Sequence, residues 1–218
     1  MTEIQGQTAL EVWKKALKHI LENGDVYADK KGRTGKEYLN LILTIETQKD
    51  IDKPIEIINS FGNWIYPPFE ELKSFVLGKK QVPGYYYNYG ERAFSSEWRN
   101  QIDEYVIPLL KKNPSTKRAI VVFYNPEKDS YTDKKETPGM IMMNFNLRNN
   151  KLHVTAVIRS NAMFFGWPGN IYQSHLIQDY ICKEVGCQPG RIATFSISAH
   201  FFNDQLDEIQ KVINMKRK

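Results

Sequence analysis

Residues 137–160 read TPGMIMMNFNLRNNKLHVTAVIRS, which is the pattern of a β-hairpin. The runs Met140 to Leu147 and Lys151 to Ile158 are rich in apolar and β-branched residues and have strand length. The segment Arg148-Asn149-Asn150 separates them, and asparagine tolerates the positive φ that a tight hairpin turn requires. We therefore expect two antiparallel strands here, followed at once by Arg159-Ser160.

Helix and strand patterns alternate on both sides of this hairpin. Apolar spacing, caps, prolines and glycines predict a helix from Thr8 to Asn23 with Thr8 as N-cap and Gly24 as stop. The other predicted helices are Pro67-Pro68 to Gly78, Ser96 to Lys112, Ile171 to Val185 and Asn203 to Asn214. The other predicted strands are Glu37 to Glu46, Ala119 to Tyr124 and Arg191 to Ser198. We expect Asp25 to Lys36 to be a loop. Because no strict βαβ repeat is present, the pattern indicates an α/β (α+β) fold with a mixed sheet and packed helices.

Length and composition indicate one compact domain over residues 1–218. The chain is 41% hydrophobic, which suffices for a substantial core. No apolar run approaches the roughly 18 residues that a membrane span needs, and the polar start Met1 to Gln7 argues against a targeting peptide, so a cytoplasmic protein without membrane contact is expected. The net charge of +5 is scattered and no nucleic-acid motif accompanies it, which argues against a nucleic-acid partner.

Six short motifs follow one another in a familiar order. They are Arg33-Thr34-Gly35, Glu71-Leu72 to Gly78, Tyr89-Gly90, Lys117-Arg118, Arg159-Ser160 followed by Gly166-Trp167-Pro168-Gly169-Asn170, and His200. In this order they resemble the thymidylate synthase family over nearly the whole chain, and the compact length is most similar to the short archaeal form. The resemblance implies a thymidylate-synthase-like fold and the activity of a transferase of the methyltransferase type. It also implies a pyrimidine nucleoside monophosphate as ligand and a homodimer whose sheets pack face to face.

The same resemblance assigns binding roles to individual residues. Forked guanidinium groups suit a phosphate monoester, and the resemblance implies that Arg33, Arg159 and Ser160 bind it together with Lys117 and Arg118 of the neighbouring subunit. Asn170 would read the pyrimidine edge, and an amide suits uracil better than cytosine. His200 would bind the ribose. Taken singly, each arginine also fits a surface charge, Asn170 an N-cap, and His200 a structural histidine.

The expected nucleophile is missing, because Gly139 occupies the place of the family's catalytic cysteine. That cysteine adds to C6 of uracil and makes C5 nucleophilic, which a glycine does not do. The resemblance leaves Glu71 and Tyr89 as candidates for acid and base work, although Glu71 also fits an exposed helix charge beside Glu70.

Other positions also depart from the family pattern. Ala162 stands where the family has an aspartate that contacts the folate pterin, and Phe202 stands where it has a ribose-binding tyrosine. Folate is implied by resemblance only, so the cofactor stays unassigned. Cys182 and Cys187, without clustered histidines, do not indicate a metal site.

Four hypotheses remain. The first is a thymidylate-synthase-like enzyme that binds a uridylate and acts on its base without the usual cysteine. The alternative is a non-catalytic nucleotide-binding or regulatory protein derived from such an enzyme. A third is an RNA-binding protein that uses the basic surface and tyrosines. A fourth is an engineered glycine at position 139, which is disfavoured because Met140, where the family commonly has histidine or an apolar residue, is an additional departure.

Overall fold

The computed structural model describes residues 1–63, 65–77, 87–94, 99–133 and 136–215. Within these ranges the strands are β1 (Thr2–Gly6), β2 (Asp25–Ala28), β3 (Thr34–Ile45), β4 (Ile120–Val122), β5 (Met140–Arg148), β6 (Lys151–Ala162) and β7 (Gln188–Phe202). The α-helices are α1 (Ala9–Asn23), α2 (Lys53–Phe61), α3 (Phe69–Leu77), α4 (Tyr89–Phe94), α5 (Ile107–Lys112), α6 (Pro126–Asp129), α7 (Gly166–Val185) and α8 (Leu206–Asn214). A π-helical turn, Ile102–Val106, precedes α5, and a 3-10 turn, Asn203–Gln205, precedes α8.

The strands form a mixed seven-stranded sheet in the order β1-β3-β7-β6-β5-β4, with β2 paired to β3. Strand β1 runs parallel to β3, in the register Thr2 to Leu41, whereas β2 and β4 are antiparallel to β3 and β5. This arrangement confirms the predicted α/β class with a mixed sheet. No helix in the described ranges has the length and apolar character needed to cross a membrane.

The chain divides into two compact units, and the first comprises Met1–Tyr66, Ile158–Tyr172 and Ala193–Lys218. Helix α1 packs on β1 and β3, because Val12, Trp13, Leu17 and other apolar residues recur at helical spacing and are buried. The indole Nε1 of Trp13 donates to the Met163 carbonyl at 2.7 Å, so the large buried ring has no unsatisfied donor.

The second unit comprises Pro67–Val157 and Gln173–Ile192. Helices α3 and α4 pack closely at Gly90, where an added Cβ would lie only 2.1 Å from the Val76 carbonyl oxygen. A buried bidentate ion pair supports α4 from the other side: Arg92 Nη1 and Nη2 contact the Asp129 carboxylate at 2.5 and 3.0 Å. The Asp129 side chain is 1% exposed, so removal of either partner would leave a buried charge.

Local sequence patterns predicted several elements correctly. The hairpin β5–β6 is confirmed, with φ of 51° at Asn149 and 58° at Asn150. Helix α1 begins after Thr8, whose side chain accepts from the Glu11 N–H, and α3 follows the two prolines as expected. Two predicted helix bounds, Gly78 and Ser96, lie outside the described residues.

Several elements differ from those expected from the sequence. The predicted loop Asp25 to Lys36 is wrong, because β2 and the start of β3 pair antiparallel within it. Helix α7 begins at Gly166 rather than Ile171, since Pro168 is compatible with a first helical turn. The short elements β1 and α2 were not anticipated, and β7 is longer at both ends than predicted.

Candidate functional site

The loop between β2 and β3 positions Arg33. The Asp29 carboxylate accepts the backbone N–H groups of Lys31 and Arg33 at 2.8 and 2.9 Å, and Gly32 supplies a φ of +77° for the turn. Arg33 Nε also contacts Asp29 Oδ2 at 3.1 Å, while half of the side chain is exposed. The guanidinium is thus oriented by the loop and remains accessible to an anion.

The ring of Phe202 joins Arg33 to His200. The Arg33 guanidinium carbon lies 3.7 Å from the Phe202 ring centroid, a cation–π contact, and the His200 ring centroid lies 5.7 Å from the same centroid. Tyr27 packs against both Phe202 and His200, with 5.8 Å between ring centroids in each case. The phenylalanine that replaces the expected tyrosine therefore serves as a platform for the two predicted ligand-binding residues.

Ser198 links His200 to Glu37 in a short relay. Ser198 Oγ donates to Glu37 Oε1 at 2.5 Å and lies 3.4 Å from His200 Nδ1. Burial lowers the pKa of His200, and the Arg33 charge acts in the same direction, while the Ser198 backbone and the Glu37 charge act in the opposite direction. His200 is thus a mainly neutral imidazole near pH 7.

The hydroxyl of Tyr27 is buried and has no hydrogen-bond partner among the described residues. Burial, followed by the charges of Glu37 and Asp29, raises the pKa of Tyr27 to about 12. The group therefore stays protonated and can act only as a neutral hydroxyl beside His200.

Arg159 and Ser160 lie within β6, which continues to Ala162 beyond the predicted end at Ile158. Arg159 is half-buried and Ser160 is exposed. The backbone N–H of Met163, just beyond this strand, donates to the His200 carbonyl at 2.7 Å. The predicted phosphate-binding segment and His200 therefore lie on the neighbouring strands β6 and β7, and both belong to the first unit.

A buried polar chain holds Asn170. Its Nδ2 donates to Asn161 Oδ1 at 3.2 Å, and Asn161 Nδ2 donates to Ser196 Oγ at 2.9 Å. Asn161 and Ser196 are almost completely buried. Asn170 is the fifth residue of α7, so its alternative interpretation as an N-cap is wrong. Its amide is instead oriented by side chains from two strands.

Close packing fixes the conformation of the segment Gly166 to Asn170. Trp167 is fully buried, and its indole Nε1 donates to Thr194 Oγ1 at 2.9 Å. A Cβ added at Gly169 would lie 2.9 Å from a ring carbon of Tyr66, so glycine allows the helix to approach that ring. Burial raises the pKa of Tyr66, which keeps this hydroxyl neutral.

In the second unit, Tyr89 lies beside the position of the missing nucleophile. Its hydroxyl accepts the backbone N–H of Met140, the residue after Gly139, at 2.9 Å. The Tyr89 ring is 8% exposed and packs edge-on against Phe123, with 5.1 Å between centroids. The tyrosine is thereby fixed at the start of β5.

Three other predicted site residues are exposed. Glu71 lies in the first turn of α3 and is exposed, which fits its alternative interpretation as a helix surface charge. Lys117 and Arg118 precede β4, and Tyr105 donates its hydroxyl to the Arg118 carbonyl at 2.8 Å. The backbone of this pair is fixed while both cationic side chains extend into solvent.

The two cysteines do not offer a substitute for the missing thiol. Cys182 and Cys187 meet at the C-terminal end of α7, where the Cys187 and Gly186 N–H groups both donate to the Cys182 carbonyl. Burial raises the pKa of both thiols, and each residue is less than 10% exposed. Thiolate, the nucleophilic form, is therefore scarce at both positions.

Sequence reasoning missed Glu37, Ser198, Asn161 and Tyr27. The sequence does hold one signal, since Ser198 and His200 alternate along a strand and so share one face. Glu37 and Asn161 lie on other strands, and nothing local in the sequence connects them to this face.

Comparisons with known proteins show which family the chain resembles. The family model described as thymidylate synthase matches residues 73–218. A protein of Methanococcoides burtonii named "Putative thymidylate synthase" is 30% identical over 212 residues, which is 96% of this chain and 94% of the relative. A protein of the same name from Methanosarcina barkeri is 29% identical over the same shares, and a "Thymidylate synthase" of Bacillus subtilis subsp. natto is 29% identical over 66% of this chain and 46% of its own length.

Proposed function

Because this chain belongs to the thymidylate synthase family, we propose that it binds a pyrimidine nucleoside monophosphate, preferably a uridylate, and acts on the base without a cysteine nucleophile. The observation that carries the proposal is the shared contact of Arg33 and His200 with the Phe202 ring. An arginine suited to phosphate and a neutral histidine suited to a sugar hydroxyl are thereby held side by side, although 167 positions separate them in sequence.

The phosphate is assigned to Arg33, Arg159 and Ser160. Arg33 is oriented by Asp29 and Phe202, so little side-chain entropy is lost when it binds an anion. Arg159 and Ser160 follow each other at the end of β6 and offer a guanidinium and a hydroxyl. Lys117 and Arg118 are exposed and are assigned to the phosphate of the neighbouring subunit.

The base is assigned to Asn170 and the sugar to His200. Asn161 accepts one N–H of the Asn170 amide, which orients the amide group. One donor and one acceptor side by side match the O4 and N3–H edge of uracil. This preorganisation by a buried neighbour supports a recognition role rather than a helix cap.

The chemistry is assigned to Tyr89 and Glu71. Tyr89 lies next to position 139, where a base whose C5 or C6 reacts would be expected by resemblance. Glu71 would act through water, since its side chain is exposed in the single chain. No step is assigned to folate, because Ala162, in the place of the pterin-binding aspartate, offers only a methyl group near Gly166.

A second candidate is a nucleotide-binding or regulatory protein without catalysis. The observation favouring it is that Gly139 has no side chain, while the two cysteines present have raised pKa values. Both candidates share the nucleotide site. They differ in whether the base is changed after binding.

We further propose that residues 1–218 act as one domain in a cytoplasmic homodimer. Leu39 and Ile197 are exposed apolar side chains, 55% and 39% accessible, on the neighbouring strands β3 and β7. Burying such a face against a second copy would stabilise the assembly and bring Arg118 of each chain towards its partner's site.

Isothermal titration calorimetry with uridine 5′-monophosphate and uridine tests the shared part of the proposal. The monophosphate should bind at least tenfold more tightly, because charge-assisted hydrogen bonds contribute about 1.5–3 kcal/mol each. Equal affinities for the two compounds would refute the phosphate site. Mass spectrometry of the nucleotide after incubation with one-carbon donors would then separate the enzyme from the non-catalytic protein.

A further inference from the structure

The serine between Glu37 and His200 has only one proton to donate. Ser198 Oγ lies 2.5 Å from Glu37 Oε1, the short distance typical of a hydroxyl that donates to a carboxylate. The same oxygen lies 3.4 Å from His200 Nδ1. Because its proton points to Glu37, Ser198 can only accept from the imidazole.

This direction determines which imidazole nitrogen carries the proton. If Ser198 accepts, His200 Nδ1 must be the donor, and in the neutral ring Nε2 is then an acceptor. The other charged or titratable groups near the ring are Arg33 and Tyr27, and the Ser198 backbone also forms a hydrogen bond with the ring. The Tyr27 hydroxyl has no hydrogen-bond partner in the described part of the chain, and the Arg33 guanidinium is turned towards Phe202 and Asp29.

We propose that Glu37 is a positioning residue that acts through Ser198 to hold neutral His200 as the Nδ1–H tautomer, so that Nε2 accepts a hydroxyl hydrogen from the nucleotide sugar. The assignment of the sugar to His200 rests on the proposed function. The relay itself does not, since it is built from protein groups alone: β3 supplies Glu37 and β7 supplies Ser198 and His200.

Nitrogen NMR of histidine-labelled protein tests the relay without nucleotide. In the wild type above the pKa of His200, its Nε2 should resonate as an unprotonated nitrogen and its Nδ1 as a protonated one; the His200→Gln variant assigns the signals. In Ser198→Ala the Nδ1–H form should lose population to the Nε2–H form. A wild-type ring with the proton on Nε2 would overturn the proposal.

Titration of the same signals measures the part played by Glu37. In Glu37→Gln the pKa of His200 should fall further, because a nearby carboxylate that favours the charged ring is lost. Glu46→Gln is the matched control, because Glu46 lies nine positions after Glu37, which is about 30 Å along an extended strand. Equal pKa values in wild type and Glu37→Gln would contradict the relay.

Binding of uridine 5′-monophosphate and its 2′,3′-dideoxy analogue links the relay to the sugar. The wild type should prefer the hydroxylated nucleotide by roughly three- to tenfold, and Glu37→Gln and Ser198→Ala should lose that preference. If the tautomer is as stated but neither nucleotide binds, the proposed function fails and the relay stands. If nucleotides bind and the variants keep the sugar preference, the proposed function stands and the role of Glu37 is refuted.

Discussion

The Tyr89 hydroxyl accepts the backbone N–H of Met140 at 2.9 Å, which joins residues 51 positions apart at the start of β5. The pair is buried, so water does not compete for this hydrogen bond. It holds the backbone next to Gly139 in place although position 139 has no side chain. Tyr89 therefore has a structural role that is independent of any part in catalysis.

Tyr89→Phe should destabilise the fold by about 1–3 kcal/mol, because the buried N–H of Met140 loses its acceptor. Urea unfolding followed by circular dichroism measures the change. Tyr131→Phe is the control, since Tyr131 is 60% exposed and should change stability by less than about 0.5 kcal/mol. Equal effects of the two substitutions would show that the hydrogen bond contributes nothing.

The wild-type protein should not convert deoxyuridylate to thymidylate with methylene-tetrahydrofolate, because Gly139 has no group that can add to C6. Gly139→Cys should form a covalent adduct with 5-fluorodeoxyuridylate, detected by mass spectrometry of the intact chain. The backbone at position 139 does not require glycine, because among the described glycines only Gly32, Gly62 and Gly186 have a positive φ.

Normal thymidylate formation by the wild type would refute the first half of that expectation. A Gly139→Cys protein that folds and binds nucleotide yet forms no adduct would show that the base lies in another orientation. The assignment of the uracil edge to Asn170 would then be wrong.

Arg159→Ala should weaken binding of uridine 5′-monophosphate by roughly ten- to a hundredfold, because a charge-assisted hydrogen bond contributes about 1.5–3 kcal/mol. Affinity for uridine should hardly change. Arg191→Ala, at an exposed position of β7, is the matched control and should bind like the wild type. Calorimetry that finds no difference between the two variants would exclude Arg159 from the phosphate site.

Asp129→Ala should lower the free energy of unfolding by about 3–5 kcal/mol, because it leaves the largely buried guanidinium of Arg92 without its carboxylate. Glu104→Ala removes an exposed partner of Arg99, and a cost of at most about 1 kcal/mol is expected there. Chemical denaturation of both variants compares the pairs directly. Similar losses of unfolding free energy in the two variants would mean that burial does not make the Arg92–Asp129 pair contribute more than the exposed pair.

In solution the protein should have twice the 25.4 kDa mass of one chain. Ile197→Glu should convert it to a monomer, because a charge would be placed on the apolar face proposed for the dimer. Val26→Glu, at a 76% exposed position of β2, should leave the mass unchanged. A monodisperse wild-type monomer in light scattering at micromolar concentration would refute the shared site.

Local features could be predicted from the sequence because each depends on a few neighbouring residues. Asn149 and Asn150 adopt the positive φ values that the turn requires, and Thr8 caps α1 with its own side chain. The order of the motifs was likewise enough to recognise the family. In contrast, β2 was predicted as a loop, since its four residues are largely exposed and only pairing with β3 makes them a strand.

The sequence by itself determined the types of chemical group available: arginines for an anion, an amide for a pyrimidine edge, a histidine, and no cysteine at position 139. Only the tertiary structure decided how these groups are oriented. Glu37 and Ser198 are 161 positions apart, and they meet because β3 and β7 are neighbours in the sheet. A hydrogen bond depends on distance and direction in space, whereas a sequence motif records only spacing along the chain.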